Sequence, residues 1–452
     1  MAKKGMVATA PGQLRALQFP TLEEHRTPGG LRVVAARRGP LPLVAMRLVV
    51  EAGSAVDPSD KLGLAELTVS LWRRGTATLS ADQIDEAIEF VGGSLGLGAS
   101  EDYLSIAMSA PAEHMEALMQ VLGKLASEPS FVPLEVESAR RRHLAMLANE
   151  LDDPGAIAQR ALLRAVWGDH PYGHEVSGMR AHVGRVTRDD VVAFQREHVG
   201  PRVSTLIVVG DVAAVDVFAA ADRAFAGFSG GPASAKPPAP KSKAQLAGQV
   251  LLVDKPDQTQ TQVRVGGLGV KKTDPDKFAI VAFNTVLGGG FTSRLVTEVR
   301  VKRGLSYGAG SSFDSLKAGG TFCASTFTKT ETTRKAIDVV QRELSRMRKQ
   351  GPTPEELRAA QRYVVGLYPA RFETNESVSA AVADMVVHQI PLEWIARYRE
   401  RVVAVSTREA TAAAKAHLPE DPTLVLVGNA EKIRPQLSGL GPVTEIQAAE
   451  LE

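Results

Sequence analysis

Nine histidines are the first residues to weigh, because imidazole most often carries metal binding and acid–base work near neutral pH. None sits in a paired metal spacing such as H-x-x-x-H or H-x-x-E-H. His170 and His174 are four apart in GDHPYGHE, but Pro171 and Gly173 lie between them, so no helix places both on one face. They read as parts of a structured turn. His143 follows Arg140-Arg141-Arg142 and reads as a solvated helix position. Cys323, the single cysteine, has no nucleophile signature and reads as a small strand residue. Gly288-Gly289-Gly290 fails as a phosphate loop, since no Gly-Lys-Ser/Thr follows and the next cations are arginines on a helix. Glycines permitting a tight turn between two helices is the better account.

Arg300 and Tyr307 remain. Each has an ordinary reading: Arg300 complements a helix C-terminus, and Tyr307 is one residue of an alternating strand. The pair also has a chemistry. Guanidinium and phenol are both donors at neutral pH. Converged on one carbonyl oxygen, they stabilise the oxyanion of a tetrahedral intermediate.

The elements that must position these residues follow from local pattern. A helix carries Arg294, Glu298 and Arg300, ends at Arg303-Gly304, and gives way to a strand beginning Leu305-Ser306-Tyr307. Upstream, Leu31 to Ala36 and Val44 to Val50 are β-rich runs on either side of Arg38-Gly39-Pro40, and read as antiparallel strands. Helical spacing predicts helices over Gly63 to Trp72 and Ala81 to Val91, the second with Ser80 as N-cap. Strands follow near Ser94 to Ala99 and Tyr103 to Met108, then helices over Glu113 to Ser127, Leu134 to Leu151 and Thr187 to His198. Pro154 marks another helix start. Ser204 to Gly210 is an apolar strand.

Length and composition bound what these elements build. The chain has 452 residues, enough for two or three domains, and is 44% hydrophobic and 23% charged, as ordinary globular proteins are. Its 53 basic and 51 acidic residues imply no nucleic-acid or membrane-surface partner. One cysteine excludes an internal disulfide. The first twenty residues lack an apolar run behind their lysines, so no signal peptide is expected. No membrane span is expected either, and a cytoplasmic location is the default.

SGGPASAKPPAPKSK, Ser229 to Lys243, has no periodic apolar face and reads as a semi-rigid linker. Beyond it the first half recurs. VTRDDVVAFQREHVGPRVSTLIVVGD from Val186 resembles VSTREATAAAKAHLPEDPTLVLVGN from Val405, with His198 and His417 in matching places. FVPLEVESARRR resembles PTPEELRAAQR, and SLGLGASEDYLSI resembles SYGAGSSFDSLKA. Three matches in one order point to a tandem duplication. The expected architecture is α+β: two homologous domains, 1–228 and 249–452, joined by the linker 229–248, each a mainly antiparallel sheet packed with helices.

EVRVKRGLSYG, preceded by LGGGFTSRL, closely resembles the C-terminal-domain signature of the pitrilysin/insulinase family of zinc metallopeptidases. VEAGSAVDPSDKLGLAELTVSLWRRGT is similar to that family's N-terminal active-site segment, and ELDDPGAIAQRALLRAVWGDHPYGHEVSG to its downstream helix pair. The family motif is an inverted zinc site, H-x-x-E-H, with a further glutamate on a later helix. Matching the glycines on either side puts Glu66, Val69 and Ser70 at its His, Glu and His positions; the downstream ligand falls near Ala145 or Met146. The zinc-binding roles and the general base are vacant. The family's arginine–tyrosine pair maps onto Arg300 and Tyr307.

Some bacterial members divide the labour, one chain carrying zinc and the other only this pair. The resemblance therefore implies a zinc-less subunit that closes a clam-shell-like chamber with a homologous zinc-bearing partner. It implies no metal in this chain, zinc in the partner, and peptide bound extended along a sheet edge. It implies inactivity alone and metalloendopeptidase activity when paired. A non-catalytic scaffold of a larger complex and a homodimeric peptide-binding protein are the alternatives.

Overall fold

The computed structural model describes residues 19–231 and 237–451. Residues 1–18, where no signal peptide is expected, and 232–236 of the linker lie outside that range. The first sheet holds β1 (Glu23–Arg26), β2 (Arg32–Arg37), β3 (Leu43–Val50), β4 (Ser94–Ala99), β5 (Leu104–Pro111) and β6 (Ser204–Gly210) in the order β1-β2-β6-β3-β5-β4. The second holds β7 (Val250–Asp254), β8 (Gln260–Leu268), β9 (Ala309–Ser315), β10 (Gly320–Lys329), β11 (Thr423–Gly428) and β12 (Val443–Gln447) in the order β12-β7-β11-β8-β10-β9.

Beneath the edge strands the two orders are one. β2, β6, β3, β5 and β4 correspond to β7, β11, β8, β10 and β9. In each sheet the first of these pairs is parallel and the next three are antiparallel. The edges differ: β1 lies antiparallel to β2, whereas β12 lies parallel to β7. β2 and β3 run in opposite senses, as expected, but do not pair with each other. β6 lies between them, parallel to one and antiparallel to the other. β6 is buried at every position, and so is β11; a strand with no polar face belongs at the centre of a sheet covered on both sides.

The helices repeat as well. They include α1 (Leu64–Leu71), α2 (Pro133–Glu150), α3 (Pro154–Trp167) and α4 (Arg188–His198), then α5 (Lys277–Asn284), α6 (Pro354–Leu367), α7 (Asn375–His388) and α8 (Thr407–His417). α2 and α6 both begin on a proline, which suits a first turn that needs no amide donor. α4 and α8 each begin with a capping box and end on the matched histidines.

The duplication carries an exchange. Ile157, Ala161, Leu162 and Val166 of α3 pack on Leu251, Val253, Val425 and Val427 of the second sheet. Val378, Val382 and Val386 of α7 pack on Val34, Val49, Ile207 and Val209 of the first. Each sheet's far face is thus covered by a helix from the other half. Fully burying such side chains is worth about 1.5–3 kcal/mol each, so separating the halves would expose both faces at large cost. A buried polar chain runs through the same junction. Tyr172 Oη donates to Asp102 at 2.5 Å, Lys317 N donates to Asp102 at 2.9 Å, and His388 stands 3.3 Å from Asp102 and 3.0 Å from Asp384. No helix among the described residues is long and apolar enough to cross a membrane.

Candidate functional site

α1 is an ordinary short helix whose N-terminus is held by Asp57. The carboxylate accepts from Gly63 N at 2.8 Å and Ala65 N at 2.9 Å. Burial outweighs these bonds and pushes the Asp57 carboxyl up to about 7. Of the three zinc-motif positions on this helix, Val69 is 1% exposed and belongs to the first core. Ser70 Oγ donates back to Leu67 O at 2.7 Å, within its own helix. Glu66 is partly buried; burial raises its carboxyl, against a hydrogen bond from the Ala99 backbone. The downstream positions, Ala145 and Met146, offer a methyl and an exposed thioether. One carboxylate, one satisfied hydroxyl and a core valine do not make the donor set zinc requires.

The second half is built differently at the matching place. After α5 the helix continues with i→i+5 bonding over Thr285–Gly289, and a second such segment spans Val296–Val301. Single π-turns of this kind are uncommon and recur at functional sites. Gly288 is needed for close approach rather than for a tight turn: an added Cβ would lie 2.4 Å from Ser311 N on β9. Asn284 and Ser311 fasten the same contact through bonds of 3.0 Å and 2.6 Å. Arg294, 7% exposed, makes a forked pair with Glu356 of α6, at 2.8 Å and 2.6 Å, and donates to Gly351 O at 2.9 Å. Burial alone would raise Glu356, but its bonds to Arg294 and the Thr353 amide hold the carboxyl below its usual value.

These anchors present the turn that carries Arg300 and Tyr307. Lys302 and Arg303 clamp Glu298, at 2.6 Å and 2.5 Å, and pull its carboxyl down to about 2. Gly304 then takes φ +58°, a left-handed conformation that suits glycine. The expected strand start at Leu305-Ser306-Tyr307 is incorrect: β9 begins at Ala309. Ser306 Oγ accepts from Gly308 N at 3.1 Å and donates to Gly308 O at 2.8 Å, which holds these residues in a turn. Tyr307 stands at the tip, 85% exposed. Arg300 is exposed too, its guanidinium 5.4 Å from the centre of the Phe291 ring. Among the described residues neither side chain makes a hydrogen bond or ion pair, and none links them to Glu66.

The remaining sequence candidates fall away from this surface. His143 is not solvated; it is 7% exposed and its Nε2 bonds Ser177 O at 2.8 Å. His170 and His174 sit in the turn after α3, bonded to Pro238 O and Glu175 O. Cys323 is buried in β10. Sequence reasoning missed Tyr172, His388 and Asp384, the chain that ties the halves; the HPYG segment was the signal for the first of them.

Against known families, residues 32–180 match Insulinase (Peptidase family M16), and residues 185–364 match Peptidase M16 inactive domain. An uncharacterized zinc protease of Streptomyces coelicolor is 25% identical, over 95% of this chain and 92% of its own. The non-peptidase homolog YmxG of Helicobacter pylori is 25% identical, over 93% and 96%. The solved peptidase M16 inactive domain from Pseudomonas fluorescens superposes with a TM-score of 0.85 at 26% identity, covering 90% of this chain and 98% of that one. A protease from H. pylori gives 0.84 at 18%, a likeness of fold. With its duplicated sheets, the degenerate motif on α1 and the arginine–tyrosine turn, the chain belongs to the M16 insulinase family of peptidases.

Proposed function

We propose that this chain is the zinc-less subunit of a two-chain M16 peptidase. One observation carries the reading: Val69 is buried in the core, Ser70 is bonded within its own helix and Glu66 is partly buried, while Arg300 and Tyr307 are exposed and, among the described residues, make no hydrogen bond or ion pair. A guanidinium and a phenol so placed have their donors free for an oxygen supplied from outside the chain. In this reading a homologous subunit brings the H-x-x-E-H motif, zinc, water and general base. This chain brings the donors for the scissile carbonyl as negative charge develops on its oxygen. The peptide lies extended against a sheet edge of the shared chamber.

The test is reconstitution. The chain alone should hold no stoichiometric zinc and cut no peptide; mixed with its H-x-x-E-H homologue it should raise that subunit's rate. A stoichiometric zinc in the isolated chain, or no rate gain on mixing, would overturn the proposal. A scaffold role is the second reading, favoured by the name non-peptidase homolog carried by the H. pylori relative. It predicts a stable complex in which Arg300 and Tyr307 can be replaced without effect.

A further inference from the structure

A second cavity, remote in sequence from the Arg300–Tyr307 turn, has a composition of its own. It encloses about 610 Å³ between α5, α7, β9 and the short helix Leu392–Ala396. That size suits a small ligand. One wall is aromatic: Tyr368 and Tyr398 stack at 4.1 Å, and Phe278 meets Trp394 edge-on at 5.4 Å. Lys271, Lys272, Lys277 and Arg371 line the cavity with Asp384 as the only carboxylate. Asp384 is already engaged by Lys272 and His388, each at 3.0 Å.

Three of the four cations therefore have no carboxylate of their own. Among the described residues Lys271, Lys277 and Arg371 make no ion pair. Lys277 is the least favourably placed. It is half-buried, and it is the first residue of α5, where the helix dipole is positive. Burial, with Lys272 and Arg371 near, pushes its ammonium below the usual value. The adjoining helix end has no side-chain cap either, because the Asp276 carboxylate turns away to His417 at 2.8 Å. Against this, Lys277 has the charge of Asp384, which is already shared by Lys272 and His388, and the Trp394 ring, 5.7 Å from Nζ. Positive charge in excess of one shared carboxylate, beside flat apolar walls, is complementary to a ligand with an anionic head and an aromatic body.

We propose that this cavity binds an aromatic carboxylate of one or two residues' size, its carboxylate on Lys277 and Arg371 and its ring against Trp394 and Tyr398. The inference does not rest on the peptidase reading. The same chemistry is offered by a free aromatic acid and by the C-terminal residue of a peptide. Titrating the full chain calorimetrically with N-acetyl-L-phenylalanine, its amide, and the tetrapeptide Ala-Ala-Ala-Phe with a free carboxylate tests it.

Saturable binding of the acid is expected, at least about tenfold weaker for the amide and for the acid on Lys277→Met. Trp394 should report it by fluorescence, since Trp72 and Trp167 are buried. Tighter binding of the tetrapeptide than of the free acid would identify a peptide terminus as the source; the reverse would identify a free acid. Equal binding of acid and amide, or undiminished affinity in a Lys277→Met chain with unchanged thermal midpoint, would overturn the proposal. So would no saturation up to about 10 mM.

Discussion

The two halves share a five-strand order and a helix order, yet the motif helix α1 of the first and the turn before β9 of the second do opposite things. In the first, α1 is capped by Asp57 and turns Val69 into the core, and Ser70 bonds its own helix. Every group there has a partner within the chain. In the second, beside two π-turns and the Arg294–Glu356 fork, Arg300 and Tyr307 are exposed and make no hydrogen bond or ion pair among the described residues. Both halves share the same frame, but the side chains of α1 are satisfied within the chain, while Arg300 and Tyr307, ahead of β9, make no hydrogen bond or ion pair among the described residues. The difference teaches that one frame, used twice in a chain, can satisfy its polar groups in one half and leave donors free at the surface of the other.

Replacing Val69 with glutamate breaks the comparison most directly, by asking whether α1 can reopen. Val69 is 1% exposed, so a carboxylate there has neither water nor partner. We expect a loss of at least about 3–5 kcal/mol in chemical denaturation, without acquired zinc. Arg294→Met attacks the other half. It leaves Glu356, which is about one-third exposed, without its partner, and should cost about 2–4 kcal/mol while loosening the turn.

The junction offers a pH test. Burial alone would lower the His388 pKa, but hydrogen bonds to Asp102 and Asp384 outweigh it and raise it above 6.5. A histidine bound more tightly to its proton in the folded state contributes stability that is full below pH 6.5 and fades as pH rises through the folded value. The thermal midpoint should therefore fall as pH rises above 6.5. His388→Gln should flatten that fall, and an unchanged slope would exclude the junction as its source. Smallest is Glu298→Gln, which removes two partly exposed pairs worth about 0.3–1 kcal/mol together. It should speed amide exchange at Leu305 more than at α1.

Much of the frame was legible in the sequence. The apolar runs of β3 and β6, the Ser80 cap and the proline start of α3 are local signals, and the structure follows them. What was not legible is set at long range or by backbone alone. β6 entering between β2 and β3 comes from more than a hundred residues downstream. His143 is buried because Ser177 folds over it, and no spacing near Arg142 records that. The exchange of α3 and α7 is invisible to periodicity, which sees an apolar face but not its destination. At the site, the π-turns are only five and six residues long, too short for their wider turn to show in the side-chain pattern, so they did not announce themselves. Tyr307 was placed on a strand because Ser306 reads as a strand residue until its hydroxyl is seen holding Gly308.

The central claim is that Arg300 and Tyr307 act on an oxygen supplied from outside this chain. It is tested most directly by the turnover rate of the reconstituted pair carrying Tyr307→Phe, compared with the unaltered chain at saturating partner. Tyr307 is 85% exposed, so the substitution leaves folding and assembly intact. The account predicts a fall in kcat on the order of a hundredfold with the stability of the complex unchanged. Full activity in the Tyr307→Phe pair would contradict it.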